Sequence, residues 1–131
     1  MSEEKTKFIK RLAEDKEIGV ISSLGAGVTS LIGNIFPERA RTLAISVRVN
    51  YHSSATSGIT VELYYVHEKL GEDTEPYTSF VPTLSAGNTV QRTVLVDVPE
   101  GGSFNVKVKN NDGTYSATDI KAGYSLMRFI E

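Results

Sequence analysis

Two histidines, His52 and His67, are the first residues whose chemistry stands out, because imidazole titrates near neutral pH and ligates metals. Each falls at the end of an alternating apolar run, where a loop begins. If the two runs pair as a simple hairpin, His52 lies near the turn and His67 at the far end. A joint metal site is therefore not expected, and both read as solvated loop residues. Carboxylates gather at Glu68, Glu72, Asp73 and Glu75, and a second oxygen-rich turn holds Asn110, Asn111, Asp112 and Thr114. Calcium takes about six to eight such oxygens. Neither group has EF-hand spacing, so a solvated acidic loop and an Asx/Gly turn are the simpler readings. Serine and threonine are plentiful, but no G-x-S-x-G elbow is present. GAGVTSLIG lacks the lysine of a phosphate-binding loop. No enzymatic activity and no cofactor are expected. Tyr64 and Tyr65 are adjacent, so one faces away from any core, and Tyr77 and Tyr115 sit near loops. Tyrosines so placed suit sugar stacking, a protein interface or the covering of sheet edges.

The elements that must position these residues are strands. In TLAISVRVNY (42–51), Leu43, Ile45, Val47, Val49 and Tyr51 share one face. In ITVELYYV (59–66), Ile59, Val61, Leu63 and Tyr65 do the same. A period of two marks strands with one buried face, and HSSATSG between them is turn chemistry. The expected unit is a hairpin over 42–66. Pro76 restricts 74–81 to an edge strand or to one starting after the proline. VQRTVLVDV (90–98) follows, with its valines on the core face and Arg92 near the rim. FNVKVK (104–109) and a last strand over 118–129 complete the set, joined by NNDGT, a strong hairpin signal. Seven or eight strands at regular spacing predict an all-β protein, an antiparallel sandwich of jelly-roll or Greek-key type.

The first 36 residues differ. Residues 2–17 hold five acids and five bases among good helix formers, which predicts a short N-terminal helix. Its apolar face is thin, Phe8 and Leu12 with Ile9, so it needs a neighbour, either its own sandwich or another subunit. Residues 18–36 carry no charge and four glycines. Two strands, near 18–24 and 28–35, with a glycine bend between them fit best. Such a segment specifies register weakly and must be covered. The expected division is an assembly arm over 1–36 and a sandwich over 37–131, with partner contacts at Phe8, Ile9, Leu12, Val20, Leu24, Val28, Leu31, Tyr64 and Tyr77.

Composition bounds the partners. The 131 residues carry a net charge of −2 and no cysteine or tryptophan. No basic field points to nucleic acid, disulfides are excluded, and the missing tryptophan counts against a stacking platform for sugars. No apolar run approaches the ~18 residues of a membrane span, and no signal peptide is expected. The chain is expected in the cytoplasm where it is made, or in something assembled there.

The order of a strand ending in Tyr-Tyr, D-T-E-P-Y-T-S-F, T-V-Q-R-T-V, V-P-E-G-G and V-K-V-K-N-N-D (59–112) resembles small β-sandwich proteins of tailed viruses of bacteria and archaea, including accessory proteins of heads and tails. The resemblance implies a non-enzymatic virion subunit, a decoration or tail-associated protein that forms a homo-oligomer or binds a repeating protein lattice. A carbohydrate-binding module of the same fold is the alternative.

Overall fold

Period-two alternation becomes nine strands in a computed structural model that describes residues 14–37, 42–99 and 101–127. They are β1 (Glu14–Leu24), β2 (Thr29–Ile35), β3 (Thr42–Asn50), β4 (Ile59–His67), β5 (Gly71–Glu72), β6 (Thr78–Phe80), β7 (Thr89–Asp97), β8 (Ser103–Asn110) and β9 (Ala117–Met127). One sheet runs β1-β9-β3-β7 and the other β2-β8-β4-β5, with β6 also on β4. Every pairing is antiparallel. Counting β5 and β6 as one interrupted strand, this is the order of an eight-stranded jelly roll.

The core lies between the sheets. Leu43, Ile45, Val47 and Val49 of β3 face it, with Ile59, Val61 and Leu63 of β4, Phe104, Val106 and Val108 of β8, and Ile120 of β9, all fully buried. Fully burying such side chains contributes about 1.5–3 kcal/mol each.

Four expectations are corrected. No helix occurs among the described residues; Glu14–Glu17, the end of the expected helix, pair with Gly123–Leu126 in β1–β9. Sheet pairing there overrides local helix preference. The rest of that expectation, residues 1–13, lies outside the described residues. The strand count is nine rather than seven or eight, because the stretch around Pro76 splits into β5 and β6. The 42–66 segment is not a hairpin: β3 and β4 belong to different sheets. NNDGT is not a hairpin turn either, since β8 and β9 also lie in different sheets.

Residues 14–35, assigned by sequence to the arm, form one outer strand of each sheet, and Ile18, Leu24, Ile32 and Ile35 belong to the core. β1 and β2 close that side of the sandwich by backbone contact. A Cβ on Gly19 would lie 1.9 Å from the Ile32 carbonyl oxygen, and one on Gly33 would lie 2.1 Å from the Ile18 oxygen. A bulge interrupts each strand at this point, between Glu17 and Gly19 and between Leu31 and Gly33. The opposite side is closed by side chains. Arg92 of β7 donates through Nη1 to the Val81 carbonyl (2.8 Å) and lies 5.9 Å over the Phe80 ring. Tyr77 donates its hydroxyl to the Asp97 carbonyl at 2.9 Å. An inward-leaning charge on an edge strand also discourages further strand addition.

Gly19→Ala and Gly33→Ala should each cost about 3 kcal/mol, because the clash is with backbone that has no room to yield. Gly113→Ala, with nothing within 4 Å of the added Cβ, should change stability by less than ~0.5 kcal/mol. Urea unfolding of the three variants checks this.

Candidate functional site

Four surfaces carry the residues singled out by sequence. The first is the end of the sandwich where the β1–β2, β3–β4, β6–β7 and β8–β9 connections meet. Asp112, buried, is its organiser. Its Oδ1 accepts from the backbone amides of Thr114 and Tyr115 (2.8 Å each), and its Oδ2 from those of Thr56 (2.8 Å) and Ser57 (3.3 Å). These amides hold the carboxyl far below the usual carboxylate range. Asn110, also buried, donates to the carbonyls of Leu24, Gly25 and Tyr115. Tyr51 turns inward at the end of β3. Its hydroxyl accepts from the Ile59 amide (3.3 Å) and donates to the Pro82 carbonyl (2.5 Å), and burial raises its pKa. Asp112 and Asn110 are thus spent on chain crossings between sheets. Nearby, the His52 ring stacks on Tyr115, centroids 4.2 Å apart at 15°.

The histidines do not meet. His52 Nδ1 accepts from the Ser54 amide at this end, while His67 Nδ1 accepts from the Lys69 and Leu70 amides after β4. The acidic loop does not gather: Glu72 Oε1 accepts from Asn105 (2.8 Å) and Oε2 pairs with Lys107 (3.1 Å), which lowers its pKa. Among the described residues no group of three or more His, Asp or Glu is placed to hold a metal ion.

The second surface is the outer face of the β2-β8-β4 sheet. Asn34 donates to Asn105, Asn105 donates to Glu72, and the Lys107 ammonium sits 4.3 Å over the Tyr64 ring. Tyr65, its neighbour, turns inward against Phe104. Tyr77 packs edge-on to Phe104 on the flank between sheets. Tyr64, Tyr77 and Tyr115 therefore occupy three separate places, with ring or cation partners other than one another.

The third is the β1–β2 edge. Beside the glycine crossing, Val20 and Leu31 are each 52% exposed, with Val28 and Phe36 exposed along the same pair of strands. Leu24, expected with them, is 2% exposed and belongs to the core. Phe8, Ile9 and Leu12 lie outside the described residues. Phe36 was missed by sequence, although it ends the same uncharged stretch.

The fourth is the outer face of β1-β9-β3-β7, where Glu17, Ser46, Arg48, Gln91, Lys121 and Gly123 line a shallow depression of about 280 Å³. Its signal in the sequence is the outward position of Arg48, Lys121 and Gln91 in alternating strands.

No protein-family model matches the chain, and no curated protein matches it. Solved structures do. An endo-1,4-β-D-xylanase 10B of Clostridium thermocellum, its CBM22-1 and GH10 modules complexed with xylohexaose, matches with a TM-score of 0.58 at 11% identity, over 88% of this chain and 29% of that one. A structure of infectious bursal disease virus, Gx strain, gives 0.52 at 11% identity over 92% and 32%. Eiger TNF from S. frugiperda gives 0.51 at 9% identity over 93% and 96%. The chain spans less than a third of the xylanase and virus chains. At these identities the likeness defines a fold, the two-sheet β-sandwich, and nothing finer. Among the described residues no helix is long and apolar enough to cross a membrane.

Asp112→Asn should lower the melting temperature at neutral pH, because an amide nitrogen would face backbone donors. The stability Asp112 contributes is present above its unfolded-state pKa of about 3.9 and lost as pH falls towards its depressed folded value. The gap between the melting temperatures of the two proteins should therefore begin to close below about pH 4 and go on narrowing as the pH falls further.

Proposed function

We propose that this protein is a non-enzymatic structural subunit of a virion or similar protein assembly. It contacts neighbouring copies, or a repeating protein lattice, through the β1–β2 edge and the adjoining sandwich surface. The observation that carries the reading is the edge itself. Nineteen residues without charge, 18–36, expose Val20, Leu31, Val28 and Phe36 beside the crossing at Gly19 and Gly33. An exposed uncharged edge is an association hazard unless it has a partner. Phe8, Ile9 and Leu12 are assigned to the same contact, and Tyr64 and Tyr77 to the sandwich surface beside it. The resemblance over 59–112 narrows the role to a decoration or tail-associated subunit of a tailed virus, and the shared fold of the virus structure is compatible with it.

The alternative, a carbohydrate-binding module, draws on the fold shared with the xylanase structure. Its aromatic platform has less support, since Tyr64, Tyr77 and Tyr115 do not share a surface.

The double substitution Val20→Glu, Leu31→Glu tests the assembly reading, because both side chains are half exposed and their loss should leave the melting temperature within a few degrees. Light scattering across concentration should show the wild-type chain associating and the variant held at the 14.3 kDa monomer. A wild-type chain that stays monomeric at every concentration and fails to bind purified particles would sink it.

A further inference from the structure

The outer face of the β1-β9-β3-β7 sheet holds an adjacent pair of cations. Arg48 of β3 and Lys121 of β9 are direct cross-strand partners, and both are exposed. Like charges placed directly opposite destabilise a sheet. Among the described residues no carboxylate lies within ion-pair distance of either. Arg48 Nε donates to Gln91 Oε1 at 3.0 Å, and Lys121 makes no hydrogen bond or ion pair there. The Gln91 contact fixes the guanidinium while leaving its terminal nitrogens, the fork that grips a carboxylate, unused.

The depression that these two cations border has a polar floor and an acidic far wall. Ser46 and Gly123 form the floor and are themselves cross-strand partners, so nothing larger than a hydroxymethyl rises from it. Glu17 pairs with Gly123 from the other side. Ser46 shares its hydroxyl with Thr93 at 2.7 Å. The volume, about 280 Å³, is at the small end of ligand pockets.

We infer that this depression binds an acidic sugar, with its carboxylate between Arg48 and Lys121 and its ring over Gly123. The ring hydroxyls donate to Glu17 and bond to Ser46 and Gln91. A bare anion satisfies only the cationic side and meets Glu17 as a repulsive neighbour. A neutral sugar leaves the cation pair uncompensated. A polyhydroxylated acid satisfies both walls. The site takes Glu17 from β1 but none of the exposed apolar residues of the β1–β2 edge, and it does not depend on the assembly reading.

The test is a ¹⁵N-resolved NMR titration of the full chain with α-1,4-trigalacturonate, maltotriose and sodium acetate at matched ionic strength. Trigalacturonate should shift Ser46, Lys121 and Gly123 saturably, with an affinity that falls as salt rises. Arg48→Ala and Lys121→Ala should each weaken it at least tenfold, and Glu17→Gln should weaken trigalacturonate while strengthening the response to acetate. Melting curves establish that the variants are folded, and either cation variant is sufficient for the comparison. Equal binding of maltotriose, equal affinity for acetate, or trigalacturonate binding unchanged in a folded cation variant would each overturn the assignment.

Discussion

The sandwich depends on a place where side chains are forbidden. At the crossing of β1 and β2, each strand pushes a carbonyl oxygen into the position a Cβ would take on the other, at Gly19 and Gly33. A carbonyl can approach that closely only because hydrogen stands where a side chain would be. Each strand accommodates the approach with a bulge, which adds local twist and bends the chain. The edge strands of two sheets that would otherwise stand about 10 Å apart are thereby drawn together. Ile18 and Ile32, the residues that supply the carbonyls, turn their side chains into the core. The same geometry leaves Val20 and Leu31 at the surface, so the closure of the fold and the exposure of its apolar edge have one cause.

Strand identity was legible from sequence because it depends only on a period of two. β3, β4 and β8 carry their apolar residues on alternate positions, and all three bury them. Pairing was not legible, because it depends on where each connection goes. Apart from the β4–β5–β6 stretch, successive strands alternate between sheets. The polar, turn-prone sequences HSSATSG and NNDGT therefore look like hairpin turns but serve as arches across the core. What distinguishes an arch is its internal satisfaction. Tyr51, Asn110 and Asp112 supply side-chain bonds to backbone groups that a hairpin would satisfy strand to strand. The sequence shows the residue types but not which amides they reach.

The helix expected over 2–17 illustrates the opposite error over its last residues. Charge alternation and good helix formers describe a free segment, whereas Glu14–Glu17 answer to β9, more than a hundred residues away in the chain. Among the candidate contacts, Val20, Val28 and Leu31 could be read as apolar members of an uncharged run, but Leu24 reads the same way and lies inside. Their separation is decided by the glycine crossing. The outward positions of Arg48 and Lys121 could be read from alternation, but not their pairing, since they become neighbours only through the β3–β9 register.

β9 lies between β1 and β3, and among the described residues it is the sole sheet partner of β1. The most N-terminal described strand thus waits for the most C-terminal one. During synthesis, β1 emerges long before β9, the strand that supplies its ladder. Non-local pairing of this kind makes folding slow relative to helical proteins of the same size, and an unpaired uncharged strand is prone to find wrong partners meanwhile. The mixed charges that precede residue 18 flank the uncharged stretch in the position where gatekeeper residues oppose such mispairing.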